Sequence, residues 1–397
     1  MRPLEACWIN QRFPKSHCAG NGVKLLKAIL FANTDWYLFN FRLAYAEFLK
    51  EKGWEVCFLS PDGEHAAKLE EAGFRHIAIE FSRKGINPLK ESETVRRIKA
   101  IYAQEKPDLV HHFTIKCDIY GSLAAKELGI TSIVNSITGL GYLFLSYKPH
   151  VKLVREVVKR LYRKALRDTE VIFENPDDRK LFLEMGLTDE SSSHIVPGTG
   201  IDTEKFIPVP PPNSAPLTIL PSRMIWDKGV GEFVEAARMI RESGINARFA
   251  LVGNNDIGNP TCIPFDKLTQ WQKEGNVEWW GWQDDVATVI SMSHIVCLPS
   301  YREGLPKILI EAASCGRPIV TTDVPGCREV VEDGVNGFLV PAKDAEKLKD
   351  ALLKLIENSE LCGKMGEASR KFAEQRFSNQ IVNQAIYAVY QKAIAAS

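Results

Sequence analysis

Four charged side chains carry the chemistry this chain is equipped for: Arg223, Lys228, Glu303 and Glu311. Glu303 and Glu311 stand eight residues apart, with Gly304, Leu305 and Pro306 between them. If that step were all helix it would span about 12 Å, the distance from ribose to sugar ring in a nucleotide sugar. A carboxylate accepts hydrogen bonds from neighbouring hydroxyls, so it suits either end of such a molecule. Two solvated glutamates beside a surface helix would read the same way. Arg223 and Lys228 follow an apolar run at 217–220 and precede a helix that begins around Gly231. Two cations placed there clamp a diphosphate through charge-assisted hydrogen bonds, or they are exposed bases, the common fate of Arg and Lys.

The elements around the glutamates have to hold them in place. Residues 295–298 form a short apolar run that reads as a buried strand. A polar loop with Gly304 follows. Pro306 fits the first helical position, where its missing N–H costs nothing, and Gly316 fits the stop. Ile308, Leu309, Ala312 and Ala313 give that helix an apolar side. The helix start faces the end of the strand, a placement that favours phosphate.

These residues resemble the E-x7-E signature of family 4 retaining glycosyltransferases. The continuation at 316–326 and at 332–340 resembles the same family, and the run 217–229 resembles its G-R-x-x-x-x-K-G motif, with Ser222 where Gly is usual. The resemblance covers residues 24–395. It implies the GT-B arrangement, in which two doubly wound α/β domains face a cleft. It also implies that Arg223 and Lys228 bind the donor diphosphate and share the catalytic role with Glu303, which holds the donor sugar. Glu311 would hold the ribose, and the amides of Gly304 and Leu305 would support sugar or phosphate. The strand ending at Gly253 and the loop at Gly281 would lie near the base, where main-chain groups read uracil. Trp279, Trp280 and Trp282 beside it either stack or pack. The family implies metal-independent catalysis with retention, a UDP-sugar donor and no cofactor.

Composition agrees with a soluble enzyme of this kind. The chain has 397 residues, 45% hydrophobic and 25% charged, with a net charge of +0. The length calls for two domains. Zero net charge argues against bulk nucleic-acid binding. Nine cysteines, an odd number with no C-x-x-C pair, fit a reducing compartment rather than a disulfide framework or a zinc site. No apolar run reaches the length of a membrane span, and no signal-peptide core is present. The expected location is the cytoplasm, at the inner membrane surface.

Strands and helices alternate through both halves, the pattern of doubly wound parallel sheets. Residues 1–23 show no periodicity and are expected to be an extension. An N-terminal acceptor-binding domain is expected over 24–200, a donor-binding domain over 201–378, and a helix over 379–397 that returns to the first domain. A Pro-rich run at 207–213 marks the boundary.

Within the first half, 25–32 and 55–60 read as strands with a helix over 41–52 between them. No G-x-G-x-x-G follows the first strand, so the dinucleotide fingerprint is absent. Asn33, Trp36 and Arg42 either face a ligand above that strand or cap and pack the loop. Arg83 and Lys84, in a turn-like stretch at 81–88, could meet a phosphate. His111, His112, Thr114 and Lys116 are placed on a strand-to-helix crossing, with the helix over 119–128. Adjacent strand residues point opposite ways, and no further ligand cluster supports a metal. The family's strand-end H-x-H pattern is broken here, since its second histidine falls on Phe113. His112 and Lys116 remain acceptor-side candidates.

Residues 132–142 read as a strand into a Gly-rich loop, where Gly139 and Gly141 allow the backbone close to a ligand or simply make a turn. Residues 150–167 form an unusually basic helix, with Val151, Val154, Val158, Leu161 and Ala165 on one stripe. Lys152, Arg155, Lys159, Arg160, Arg163, Lys164 and Arg167 occupy the rest against one acid, Glu156. Such a helix suits an anionic membrane surface, or is a domain helix with a basic outer face. With the phrases at 83–88 and 114–116, it points to the branch of the family that extends polyprenyl-linked saccharides. Two other readings stand beside this: a nucleotide-sugar epimerase of similar architecture, and a non-catalytic sugar-nucleotide-binding partner in an assembly complex.

Overall fold

The computed structural model describes residues 25–80, 88–140, 144 and 149–396. Two parallel sheets organise them. The first has seven strands: β1 (Lys27–Phe31), β2 (Glu55–Ser60), β3 (Arg75–Ala78), β4 (Leu109–Phe113), β5 (Ile133–Ile137), β6 (Glu170–Phe173) and β7 (Ser193–Ile195). Their spatial order is β3-β2-β1-β4-β5-β6-β7. The second has six: β8 (Leu217–Pro221), β9 (Arg248–Val252), β10 (Glu278–Gly281), β11 (Ile295–Leu298), β12 (Ile319–Thr322) and β13 (Gly337–Val340), in the order β10-β9-β8-β11-β12-β13. Both sheets are parallel throughout. In each the strand order reverses beside the first strand, between β1 and β4 and between β8 and β11. Crevices at such reversals, outside the strands' carboxyl ends, are where open α/β sheets bind ligands.

The central strands are short apolar runs buried on both faces, as helices on both sides of a parallel sheet require. The helix after β1 spans Asp35–Glu51, so it begins well before residue 41. Thr34 sets its start: its side-chain oxygen accepts the Tyr37 N–H at 3.2 Å, a local capping signal just ahead of an aromatic-rich run. Asp35 then accepts N–H groups from Trp36, His65 and Ala66. The helix after β4 likewise starts early, at Ile115 rather than 119.

The last helix, Asn379–Ala395, crosses back to the first domain. Val382, Ile386, Val389 and Tyr390 are buried in the same cluster as Leu30, Leu49 and Phe58. His111 shares a 2.8 Å hydrogen bond with the Tyr390 hydroxyl. The basic helix spans Pro149–Leu166. It buries Tyr162, Ala165 and Leu166, with Val158 and Leu161 packed beside them. Among the described residues no helix is long and apolar enough to cross a membrane.

Candidate active site

Two loops of the second domain are stitched together at the end of their strands. After β8 the chain makes a tight turn over Trp226–Lys228 and enters the next helix through Gly229. After β11 it runs through Ser300 and Glu303 to the helix Lys307–Ser314. The Tyr301 N–H donates to the Asp227 carbonyl at 2.9 Å, and the Ser300 hydroxyl donates to the same oxygen at 3.2 Å. This stitching brings Lys228 against Glu303 in a close ion pair, with side chains only 18% and 12% exposed. Arg223 stands further out. Its side chain is 58% exposed and donates to Asp256 at 2.6 Å.

Arg223, Lys228, Tyr301 and Glu303 line a cavity of about 750 Å³, closed on the other side by Thr138 and Gly139 of the first domain. The volume suits a small-molecule substrate. The cavity spans both domains and sits at the strand ends.

Glu311 does not line that cavity. It faces a second one of about 380 Å³, shared with Lys307, Lys205 and Asp284 and with Asn40 and Phe41 of the first domain. Lys307 was not singled out from the sequence. Its ammonium donates to the Asn40 carbonyl at 2.7 Å and lies 4.8 Å from the centre of the Phe41 ring. It sits one helical turn before Glu311, an i,i+4 spacing that was the available signal. Burial lowers the pKa of Lys307, against the raising effect of Glu311. Burial raises that of Glu311, against the lowering effect of Lys307. Each group has lost more hydration than its neighbour restores, so both are suited to bind a polar ligand.

Gly304 is pressed between the domains. A Cβ there would lie 2.4 Å from the Thr138 carbonyl oxygen and 2.8 Å from Glu174 Oε2. The Gly304 carbonyl accepts from Asn175 Nδ2 at 2.8 Å, and Arg302 pairs with Asp178. Leu305 follows it, with its amide facing the Glu174 carboxylate. Gly253 and Gly281 adjoin at the ends of β9 and β10, where the Gly253 N–H donates to the Gly281 carbonyl at 2.7 Å. Gly253 has a φ of 135°, and a Cβ on it would strike the Ser222 carbonyl at 2.0 Å. These two glycines hold strand ends together. Trp279 Nε1 donates to the Gly253 carbonyl at 2.8 Å, whereas Trp282 is largely exposed.

The acceptor-side candidates divide. Asn33 stands half-buried at the end of β1. Arg42 is buried under the cleft. It donates to the Tyr37 hydroxyl at 2.6 Å and lies 4.0 Å from the centre of the Phe113 ring. Phe113, at the family's missing histidine, is thus the platform for a guanidinium. His112 is corrected from ligand to core. It is fully buried, shares hydrogen bonds with Tyr102 at 3.0 Å and Asn135 at 2.9 Å, and burial pushes its pKa down to about 4. It lies on β4 itself, not on the crossing beyond, and the strand turns its ring into the layer behind the sheet. Lys116 pairs with Glu91 at 2.7 Å on the neighbouring helix. It lines neither cavity, which corrects its placement at the site. Arg83 and Lys84 lie outside the described residues. Among the described residues no group of three or more His, Cys, Asp or Glu side chains could hold a metal ion.

Comparisons with known proteins agree with this geometry. The family described as glycosyl transferase 4-like matches residues 27–175, and that described as glycosyl transferases group 1 matches residues 202–372. N,N'-diacetylbacillosaminyl-diphospho-undecaprenol alpha-1,3-N-acetylgalactosaminyltransferase of Campylobacter jejuni is 28% identical over 90% of this chain and 96% of its own. UDP-Gal:alpha-D-GlcNAc-diphosphoundecaprenol alpha-1,3-galactosyltransferase of Escherichia coli is 24% identical over 70% of this chain and 74% of its own. The solved structure of Anabaena HepE with UDP and glucose superposes with a TM-score of 0.75 at 19% identity, over 92% of this chain and 99% of that one. The two family matches fall on the two sheets that meet at the cavity, and the chain is a glycosyltransferase with the GT-B fold.

Proposed function

We propose that this glycosyltransferase moves a hexose or N-acetylhexosamine from a UDP-sugar to a polyprenyl-diphosphate-linked saccharide, with retention and without a metal or cofactor. The observation that carries the donor half is the Lys228–Glu303 pair in a cavity that Arg223 also lines. Without a ligand the two charges neutralise each other. A nucleotide sugar separates them: the ammonium turns to the diphosphate and the carboxylate to the sugar hydroxyls. Arg223 and Lys228 then offset the charge that develops on the departing diphosphate, stabilisation aimed at the transition state. Glu303 holds the sugar ring while its bond to the diphosphate breaks. The departing diphosphate takes the proton of the acceptor hydroxyl, which lies on the same face and so retains configuration. Glu311 and Lys307 hold the ribose end in the second cavity.

Two relatives named for undecaprenyl-diphosphate-linked acceptors support the acceptor half. So does the basic helix Pro149–Leu166, on which Lys152, Arg160 and Lys164 are exposed beside the half-exposed Val157. A helix of that kind lies on an anionic surface, and the enzyme would work as a peripheral protein on the cytoplasmic face of the membrane. The epimerase and non-catalytic readings gain no support from these relatives, which are named as transferases.

The test is incubation with a panel of radiolabelled UDP-sugars and bacterial membrane lipid extract. One sugar is expected to enter the organic phase as UDP is released. Label that stays aqueous in a new sugar nucleotide, with no UDP formed, overturns the transferase reading of the site. Label that stays aqueous with UDP released overturns the lipid acceptor.

A further inference from the structure

Glu174 follows the last residue of β6 and is only 9% exposed, although it is a carboxylate in the seam between the domains. Its Oε2 fills the space at the α-carbon of Gly304 that a side chain would otherwise occupy. The next residue, Asn175, donates to the Gly304 carbonyl, and Asp178 pairs with Arg302. Three residues within one turn therefore grip Arg302 and Gly304, the two neighbours of Glu303. Whatever loosens this grip shifts Glu303 against the donor sugar.

The surroundings of Glu174 are mixed in charge. From the helix after β1, Arg42 favours its ionised form, and the Tyr37 hydroxyl lies within its field. From the helix Pro176–Glu184, Asp178 opposes ionisation, and from the donor loop Glu303 does so as well, while the Leu305 amide favours it. The Thr138 carbonyl approaches the same point from the loop after β5. Two acids and burial outweigh one guanidinium and one amide.

We propose that Glu174 is a positioning residue that, in its neutral form, seats the donor loop against the first domain, and that its ionisation loosens that seat. Burial raises its pKa from 4.5 to about 7. The raised value belongs to the closed seam; in an opened cleft the carboxyl is solvated and titrates in the ordinary range. Closure is fully favoured below the ordinary value, weakens by up to about tenfold per pH unit as pH rises toward 7, and levels off above it. A UDP-sugar has no ionisation of its own in that window, so a change in its binding reports on the protein.

This inference rests on the proposed donor site, and the experiment separates the two. UDP-sugar binding and amide hydrogen exchange of residues 301–305 are followed from pH 5.5 to 8.5 in the full-length wild type and in Glu174→Gln, which stays neutral. Wild type is expected to lose donor affinity and loop protection as pH rises toward 7, while Glu174→Gln keeps both, with at least about threefold tighter binding at pH 8. Glu174→Asp, shorter and still ionisable, is expected to bind weakly across the range. Identical exchange of residues 301–305 in wild type and Glu174→Gln at every pH overturns the inference, whether or not a donor binds. Absence of UDP-sugar binding by wild type, with the exchange difference present, overturns the donor site and leaves the seat standing.

Discussion

Gly229 and Pro299 approach so closely that a Cβ on the glycine would lie 2.0 Å from the proline carbonyl oxygen. Gly229 also has a φ of 71°, a left-handed conformation that costs other residues about 1–2 kcal/mol. It is the point where the loop after β8 is pressed onto the end of β11, one residue after Lys228. Gly229→Ala is therefore expected to push Lys228 away from Glu303 and to lower turnover by at least about tenfold, each tenfold being about 1.4 kcal/mol of transition-state stabilisation. The check is the initial rate of UDP release, with far-UV circular dichroism to show that the fold persists. Unchanged turnover would mean that the Lys228–Glu303 contact is not part of the reaction.

Arg223 and Lys228 occupy one motif yet differ in setting. Lys228 is enclosed and paired with the carboxylate, whereas Arg223 is more than half exposed and tied to Asp256. An enclosed charge interacts more strongly than a solvated one. Lys228→Ala is expected to cut kcat by about 10²–10³, the usual loss when one transition-state donor goes. Arg223→Ala is expected to lower kcat in the same direction but by less, because its charge is more exposed, and to be the more sensitive to salt. Glu303→Ala is expected to resemble Lys228→Ala, and the double variant to lose less than the product of the two, since they share one contact. Steady-state kinetics across donor concentration reads all four.

The second domain was more legible in the sequence than the first for a physical reason. Around Glu303 the chemistry is local: strand, loop, helix start and carboxylates follow one another in the chain. Lys228 required a second local motif, and its glycine was part of it. In the first domain the seam is built from Thr138, after β5, and from Glu174, Asn175 and Asp178, within one turn after β6, and nothing in their spacing shows that they meet the donor loop. Only the packing of one domain on the other brings Glu174 to Gly304. The start at Asp35 was missed because aromatic residues hid a short capping signal at Thr34. His112 looked like a ligand because a strand pattern shows that adjacent residues face opposite ways and cannot show what lies on each side.

His112 offers a test of that correction. Its folded pKa, about 4, lies below the ordinary 6.5, and burial is the main cause. The unfolded chain takes up a proton that the folded chain refuses. The stability this neutral histidine contributes is complete above pH 6.5 and is lost as pH falls toward 4. Thermal midpoints measured between pH 7.5 and 4.5 are expected to fall more steeply for wild type than for His112→Gln, which has nothing to protonate there. Fully buried His111, lowered as well, keeps part of the slope in the single variant. Acceptor KM is expected to be unchanged at pH 7.5. An altered KM with an unchanged slope would return His112 to the site.

The basic helix supplies the membrane test, and the structure selects which residues to change. Arg163 donates to the carbonyls of Met185 and Gly186, and Lys159 pairs with Glu156, so both have partners within the domain. Lys152 and Arg160 are exposed on the helix. Each basic residue near an anionic surface contributes about 1 kcal/mol, so Lys152→Glu with Arg160→Glu is expected to weaken vesicle binding by more than about tenfold. Flotation with vesicles containing anionic lipid measures this, and raised salt should imitate the double variant by screening. Binding of a soluble UDP-sugar should be the same in both proteins, because neither residue lines the donor cavity. Transfer to a lipid-linked acceptor in vesicles should fall with membrane binding. Equal flotation at low salt would show that the helix is only a wall of the first domain, and the acceptor would then have to reach the cleft by another route.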